Sequence, residues 1–321
     1  MVDVDAIRIN FSHDQLTFMN ICLGFLMFGV ALDMTMDDFK RVVKLPKSTL
    51  VGLTSQLILL PILTLLLIKV WGPVPSIALG MLLVGVCPGG NISNFATHLA
   101  GGNAALSVTL TSIVTLAAIF VTPFSFQGWA YFLPESQPLL QQIQVNAWDM
   151  VKIIFQLILV PLIIGMAVHH YFPTFTARIR KWVKRLSLLI FFGFIVFALL
   201  GNLSTIRDYL YIVLGLVFFH NSLAMVQGYY FARLNKLPEA DARAISMETG
   251  VQNAGLGLVL IFNFFPEVGG MILVAAWWGV YDLISSFVVA NYWARKKIPS
   301  SPVAQSGYAV NADKSRAAKY D

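Results

Sequence analysis

Apolar runs of about twenty residues dominate this chain, with polar residues gathered between them. A bilayer core about 30 Å thick needs about 20 mainly apolar residues per helix. Seven unbroken stretches of that length run over 14–34, 48–71, 103–133, 148–171, 186–204, 208–233 and 267–294. Two more, 75–100 and 239–265, are long enough but interrupted, the first by "CPGGN" and the second by "ETGVQNAG". The pattern predicts an all-α polytopic membrane protein with nine transmembrane segments. Segments 1 to 4 (14–133) follow the order intact, intact, broken, intact, and segments 6 to 9 (186–296) repeat it, with 148–171 as the linking helix. Segment 1 runs inward and segment 6 outward, so the two units form an inverted repeat. Broken segments at matching positions of inverted halves point to the binding site of a secondary transporter.

Composition agrees with a membrane chain. Of 321 residues 57% are hydrophobic and 12% charged, against roughly 25% charged in soluble domains. The net charge of +6 raises the question of nucleic acid, but no basic patch interleaved with aromatics is present and that partner is set aside. The charge reads as topology instead. With the N-terminus outside, 18 of the 22 lysines and arginines fall on the inner side and 4 outside or near it, the asymmetry expected of cytoplasmic loops. The expected location is the cell membrane, multi-pass and in contact with lipid. Residues 1–13 are then extracytoplasmic, and the polar stretch 298–321 is a disordered cytoplasmic tail. The N-terminus lacks the positive region of a signal peptide, so the first apolar segment is expected to stay. Asn10 and Asn202 begin glycosylation sequons on the predicted outer side. Cys22 and Cys87 both lie in apolar segments, which argues against a disulfide framework.

In "GVCPGGNISN", Pro88 has no N–H to donate, while Gly89 and Gly90 permit positive φ. Two readings fit: a helix that breaks to line a watery cavity, or a Pro-kinked helix packed through small residues. Asn91, Ser93 and Asn94, just past the break, favour the first. The second break holds Glu248, followed by Thr249, Gly250, Gln252 and Asn253. A carboxylate at mid-membrane is a functional candidate by default, and no basic residue lies deep in any predicted segment to pair with it. A mobile cation is the natural partner, and hydroxyl and amide oxygens suit Na⁺ better than zinc. Gln56, Thr54 and Ser55 add oxygens, as do Ser107 and Thr111 on one helix face, although hydroxyls at that spacing often bond back to their own helix. Asp282 in "WWGVYDLISS" is either a cavity-facing contact for substrate, ion or proton, or a buried acid hydrogen-bonded to a neighbouring helix; the cavity-facing reading is taken forward. His220 and Asn221 read as packing residues between helices.

"CPGGNISN", "GNAALSVTLTS" and "METGVQNAGLG" resemble the bile acid:sodium symporter family, over about residues 20 to 297. The resemblance implies the nine-helix form, with a panel domain packed against a core domain in which the two broken helices cross. It implies one sodium site at Ser93, Asn94, Ser107, Thr111 and Glu248. A second would use Gln56, Glu248, Gln252 and the carbonyls of Thr249 and Val251. The substrate anion is expected near Asn91 and Asn253, and Asp282 departs from the family pattern at that cavity. The expected function is Na⁺-coupled symport of an organic anion, a bile acid or related carboxylate or sulfonate, by alternating access, with Na⁺ as coupling ion and no cofactor. The alternative is a proton-coupled or passive carrier using Glu248 and Asp282. An intramembrane enzyme with Cys87 or Ser93 as nucleophile and His98 as base lacks an orienting third group, so the chain is not expected to be an enzyme.

Overall fold

The computed structural model describes residues 13–32, 34–35, 37, 45–143, 145–200 and 203–296. Residues 1–12, the two sequon asparagines Asn10 and Asn202, most of the basic stretch before residue 45, and the expected tail lie outside the described residues. Among the described residues every regular element is a helix, and the only β pairing is one isolated bridge.

The helices are α1 (His13–Ala31), α2 (Pro46–Trp71), α3 (Pro75–Val86), α4 (Ile92–Leu99), α5 (Ala104–Ala130), α6 (Gln137–Ile143), α7 (Ala147–Tyr171), α8 (Pro173–Leu200), α9 (Leu203–Leu234), α10 (Glu239–Gly250), α11 (Ala254–Phe264) and α12 (Gly269–Ala294). Among the described residues, α2, α5, α7 and α12 are long and apolar enough to cross a membrane. The interrupted segments are each split into two short pieces, α3–α4 and α10–α11. One boundary differs from expectation: "RIRKWVKR" (178–185), which falls between the predicted segments 148–171 and 186–204, is helical and lies within α8. Lysine and arginine are good helix formers, so a search for apolar length alone misses that turn of helix.

Local chemistry explains several of these elements. Pro46 and Pro75 stand in the first turns of α2 and α3, where a missing N–H costs nothing. Both α2 and α7 contain a π turn, at Ser55–Leu59 and Phe155–Leu159, and each is followed by a proline, Pro61 and Pro161. Proline removes one rung of the α ladder and crowds the preceding turn. The wider turn accommodates that, and π turns of this kind are frequent at functional sites.

The broken helices sit at the centre. Helix α12 packs on α3, α4 and α9; α5 packs on α3, α4, α7 and α10; and α1 packs on α7, α8 and α11. Trp278, Phe262 and Phe265 are fully buried with Leu79, Leu82 and Leu83. Small residues let backbones approach closely: a Cβ at Gly80 would lie 2.8 Å from Met271 Cα, and one at Gly228 2.9 Å from Ile245 O.

Candidate functional site

Both breaks occur where the sequence expects them. Helix α3 stops at Val86, Cys87 is extended, and α4 restarts at Ile92. Helix α10 stops at Gly250, Val251 is extended, and α11 restarts at Ala254. The two extended pieces meet in an antiparallel bridge between Gly89 and Gln252. Gly90 N donates to Val251 O at 3.1 Å and Asn253 N to Pro88 O at 2.8 Å. Each break thus satisfies backbone groups that the other frees, which is how non-helical backbone is tolerated inside a bundle. Glycine is required by the close approach. A Cβ at Gly89 would run into the Glu248 carboxylate and lie 3.1 Å from Gln56 Nε2, and one at Gly90 would lie 3.0 Å from Gln252 O.

The crossing brings the C-terminal ends of α3 and α10 against the N-terminal ends of α4 and α11. Asn253 caps α11 by accepting from Leu256 N at 3.0 Å, and Asn103 caps α5 by accepting from Leu106 N at 3.1 Å. No side chain caps α4, whose first turn follows Asn91. Helix N-termini carry partial positive charge and C-termini partial negative charge. The crossing therefore sets partial negative and partial positive helix ends side by side.

Ser93, Asn94, Ser107, Thr111 and Glu248, expected as one set, come together. Glu248 is 1% exposed. Its Oε2 accepts from Ser93 Oγ at 2.6 Å and lies 3.5 Å from Ser107 Oγ, while Thr111 Oγ1 stands 2.9 and 3.0 Å from its two oxygens. Asn94 Oδ1 lies 2.8 Å from Ser107 Oγ and 3.2 Å from Thr111 Oγ1. Three hydroxyl hydrogens face six such contacts. Thr111 also reaches back to Ser107 O at 3.0 Å, so its single hydrogen has several acceptors in range. Among the described residues no lysine or arginine pairs with Glu248.

The second expected set surrounds Gln56 and Gln252. The π turn of α2 carries Gln56, which is 1% exposed, and neither atom of its amide has a hydrogen-bond partner. Gln252 Nε2 donates to Thr249 O at 2.8 Å, and its buried Oε1 has no partner. Val251 O takes the Gly90 N–H and, like any carbonyl, keeps a second lone pair. Ser55, which sequence reasoning noted only as a neighbour of Gln56, lies 2.8 Å from Thr249 through their hydroxyls and receives Gln227 Nε2 on its carbonyl at 3.1 Å. Buried polar atoms are nearly always satisfied. The unpaired oxygens and the excess of oxygen contacts at Glu248 fit small cations, which take oxygen ligands and need no hydrogens.

Asn91 is exposed and Asn253 is half-buried beside the crossing. Asp282, expected to face a cavity, is 1% exposed. Its Oδ1 accepts from Asn221 Nδ2 at 2.7 Å and its Oδ2 from Gln252 N at 3.0 Å. Asn221 also donates to Gly250 O at 2.9 Å. Sequence reasoning took Asn221 as a packing residue and had no signal for this pairing. Of the nucleophile candidates, Cys87 is buried, Ser93 is hydrogen-bonded to Glu248, and His98 is exposed.

Residues 20–208 match the model of the Sodium Bile acid symporter family. The chain is 30% identical over 280 residues to the uncharacterized sodium-dependent transporter YocS of Bacillus subtilis (strain 168), covering 87% of this chain and 84% of that one. It is 29% identical over 283 residues to the probable chloroplastic sodium/metabolite cotransporter BASS2 of Oryza sativa subsp. japonica, with 87% of this chain and 64% of the relative covered. The match to the probable chloroplastic sodium/metabolite cotransporter BASS1 of Arabidopsis thaliana is 30% over 278 residues, 85% of this chain and 66% of that one. The chain thus spans just under two thirds of these plant relatives. The family match covers more than half of the sequence, and on that ground the chain belongs to the sodium bile acid symporter family.

Proposed function

We propose that the chain is a sodium-coupled secondary active symporter of an organic anion, a bile acid or a related carboxylate or sulfonate, working by alternating access. The observation that carries this reading is the crowd of oxygens around Glu248, with more contacts than hydroxyl hydrogens to fill them and, among the described residues, no lysine or arginine paired with it. One Na⁺ takes Ser93, Asn94, Ser107, Thr111 and Glu248. The other takes Gln56, Glu248, Gln252 and the carbonyls of Thr249 and Val251. The unpaired amide oxygens of Gln56 and Gln252 support that second assignment. The printed names of the relatives, a sodium-dependent transporter and sodium/metabolite cotransporters, support the ion.

The anion belongs at Asn91 and Asn253, where the N-terminal ends of α4 and α11 present partial positive charge to a carboxylate or sulfonate. Sodium binding neutralises the Glu248 charge and orders the crossing backbone on which these N-termini depend. In this reading α1, α7 and α8 form a panel against which the remaining helices move, across nine spans with the N-terminus outside and the C-terminus in the cytoplasm. Two Na⁺ with one monovalent anion carry one net charge inward, and the membrane potential then contributes about 2.3 kcal/mol per 100 mV.

The test compares thermal stabilisation of the purified protein in NaCl and in choline chloride, for wild type and Glu248→Ala. Sodium is expected to raise the wild-type midpoint and leave the variant unmoved. A wild type that stays folded and ignores sodium overturns the reading. It would turn attention to proton coupling through Glu248 and Asp282, which uptake at fixed pH with Na⁺ replaced by choline tests directly.

A further inference from the structure

The break between α10 and α11 frees backbone groups on two sides. Toward α3 they are met by the crossing partner, through Gly90 and Pro88. Toward α9 and α12 the freed groups are Gly250 O and Gln252 N, and both are met by one pair of side chains. Asn221 Nδ2 bonds Gly250 O at 2.9 Å and Asp282 Oδ1 at 2.7 Å, and Asp282 Oδ2 accepts from Gln252 N at 3.0 Å. Asn221 is 0% and Asp282 1% exposed. The pair grips the three residues from Gly250 to Gln252 from behind. The side chain of Gln252 folds onto Thr249 O with its Oε1 left without a partner.

The pattern of donors and acceptors is demanding. Position 282 must accept twice, and position 221 must donate twice. An asparagine at 282 has one oxygen only, so its amide nitrogen must face either the Gln252 N–H or the Asn221 amide, donor against donor. Among the described residues no lysine or arginine pairs with the Asp282 carboxylate either. The hydrogen bond from Gln252 N to Asp282, with that from Asn221 to Gly250 O, fixes the backbone that carries the proposed ligands.

We propose that Asp282, held by Asn221, is the positioning residue of the cation pocket formed by Gln56, Gln252 and the carbonyls of Thr249 and Val251, and that it leaves the Ser93, Asn94, Ser107 and Thr111 set untouched. This rests on the sodium reading above. Partners behind a metal ligand are worth roughly 10- to 100-fold in affinity, and that is the effect expected here on one of two sodium ions.

The experiment is ²²Na⁺ binding to the full-length purified protein over a range of Na⁺ concentrations, with choline holding ionic strength constant, for wild type, Asp282→Asn, Gln252→Ala and Thr111→Val. The expected result is two saturable ions in wild type and, in Asp282→Asn, one ion retained and one weakened about 10- to 100-fold, as in Gln252→Ala. Thr111→Val is expected to weaken the other ion, so that Asp282→Asn combined with Gln252→Ala resembles either alone, while combination with Thr111→Val weakens both. Should Asp282→Asn not fold, Asn221→Ala removes the steering bonds, keeps the carboxylate and is expected to weaken the same ion. Unchanged binding of both ions in a folded Asp282→Asn or Asn221→Ala overturns this inference alone. A wild type that binds no sodium overturns it together with the sodium reading.

Discussion

Ser93 donates a 2.6 Å hydrogen bond to Glu248 from one broken helix to the other, across 155 positions of sequence. That bond, with those from Thr111, gathers oxygens from α4, α5 and α10 around a single carboxylate. Replacing Glu248 by glutamine preserves shape and removes the charge. At about 4 Å and an effective dielectric of about 20, a carboxylate and a cation attract by about 4 kcal/mol, on the order of a thousandfold in affinity. Glu248→Gln is therefore expected to need on the order of a thousandfold more Na⁺ for the same thermal shift, read from midpoints across a NaCl series.

Gly89→Ala tests the close approach of the crossing. The new methyl meets the Glu248 carboxylate and Gln56 Nε2, and overpacking of this kind costs about 1–3 kcal/mol. The expected outcome is a protein that folds with a lowered midpoint and a weakened sodium shift. An unaltered sodium response in Gly89→Ala would show that this contact has no part in cation binding.

Arg243 ties three helix ends together. It is 3% exposed and donates to Ala100 O at 2.7 Å, to Trp293 O at 3.1 Å and to Glu239 at 3.0 Å. Ala100 ends α4 and Trp293 lies in the last turn of α12, so the cation also meets the negative ends of two helices. Arg243→Ala is expected to lower stability by about 1–3 kcal/mol, because Ala100 O loses its side-chain donor, while Glu239 keeps the Tyr229 hydroxyl and Trp293 O the Lys296 N–H. Arg243→Lys is expected to recover only part of this, since an ammonium lacks the planar fork. Thermal midpoints in choline chloride separate this from any sodium effect.

Thr64 and His220 form a buried pair at 2.8 Å, and Thr64 gives its own hydrogen to Leu60 O. His220 Nε2 is then the donor, and its Nδ1 has no partner. Thr64→Val strands that donor and is expected to cost about 1–3 kcal/mol. In His220→Phe, whose ring keeps the edge-on contact with Trp278, the same valine is expected to cost much less. A double-mutant cycle of midpoints measures the difference; two additive losses would refute the pairing.

Much of the helical frame was legible because its causes are local. Apolar length marks α2, α5, α7 and α12. Pro88 with Gly89 and Gly90 marks the first break through a missing donor and missing side chains, and the polar run from Glu248 to Asn253 marks the second. The helical turns that begin α8 escaped notice because they are charged, and the π turns of α2 and α7 escaped because a proline five residues past a glutamine gives no apolar signal. Within the candidate site, Glu248 announced itself as a lone acid in an apolar setting. The grouping of Ser93, Asn94, Ser107 and Thr111 with it came from family resemblance rather than from spacing.

The sequence by itself determined where helices run, where two of them break, and that an unpaired carboxylate lies at one break, since each follows from backbone chemistry and hydropathy within a few residues. Tertiary structure decided which oxygens converge on that carboxylate, that Gly89 and Gln252 lie side by side, and that Asp282 faces Asn221 and the broken backbone. Those outcomes depend on the rotation and crossing of helices far apart in sequence, which close packing and the need to satisfy every freed N–H and carbonyl fix only when the whole bundle is assembled.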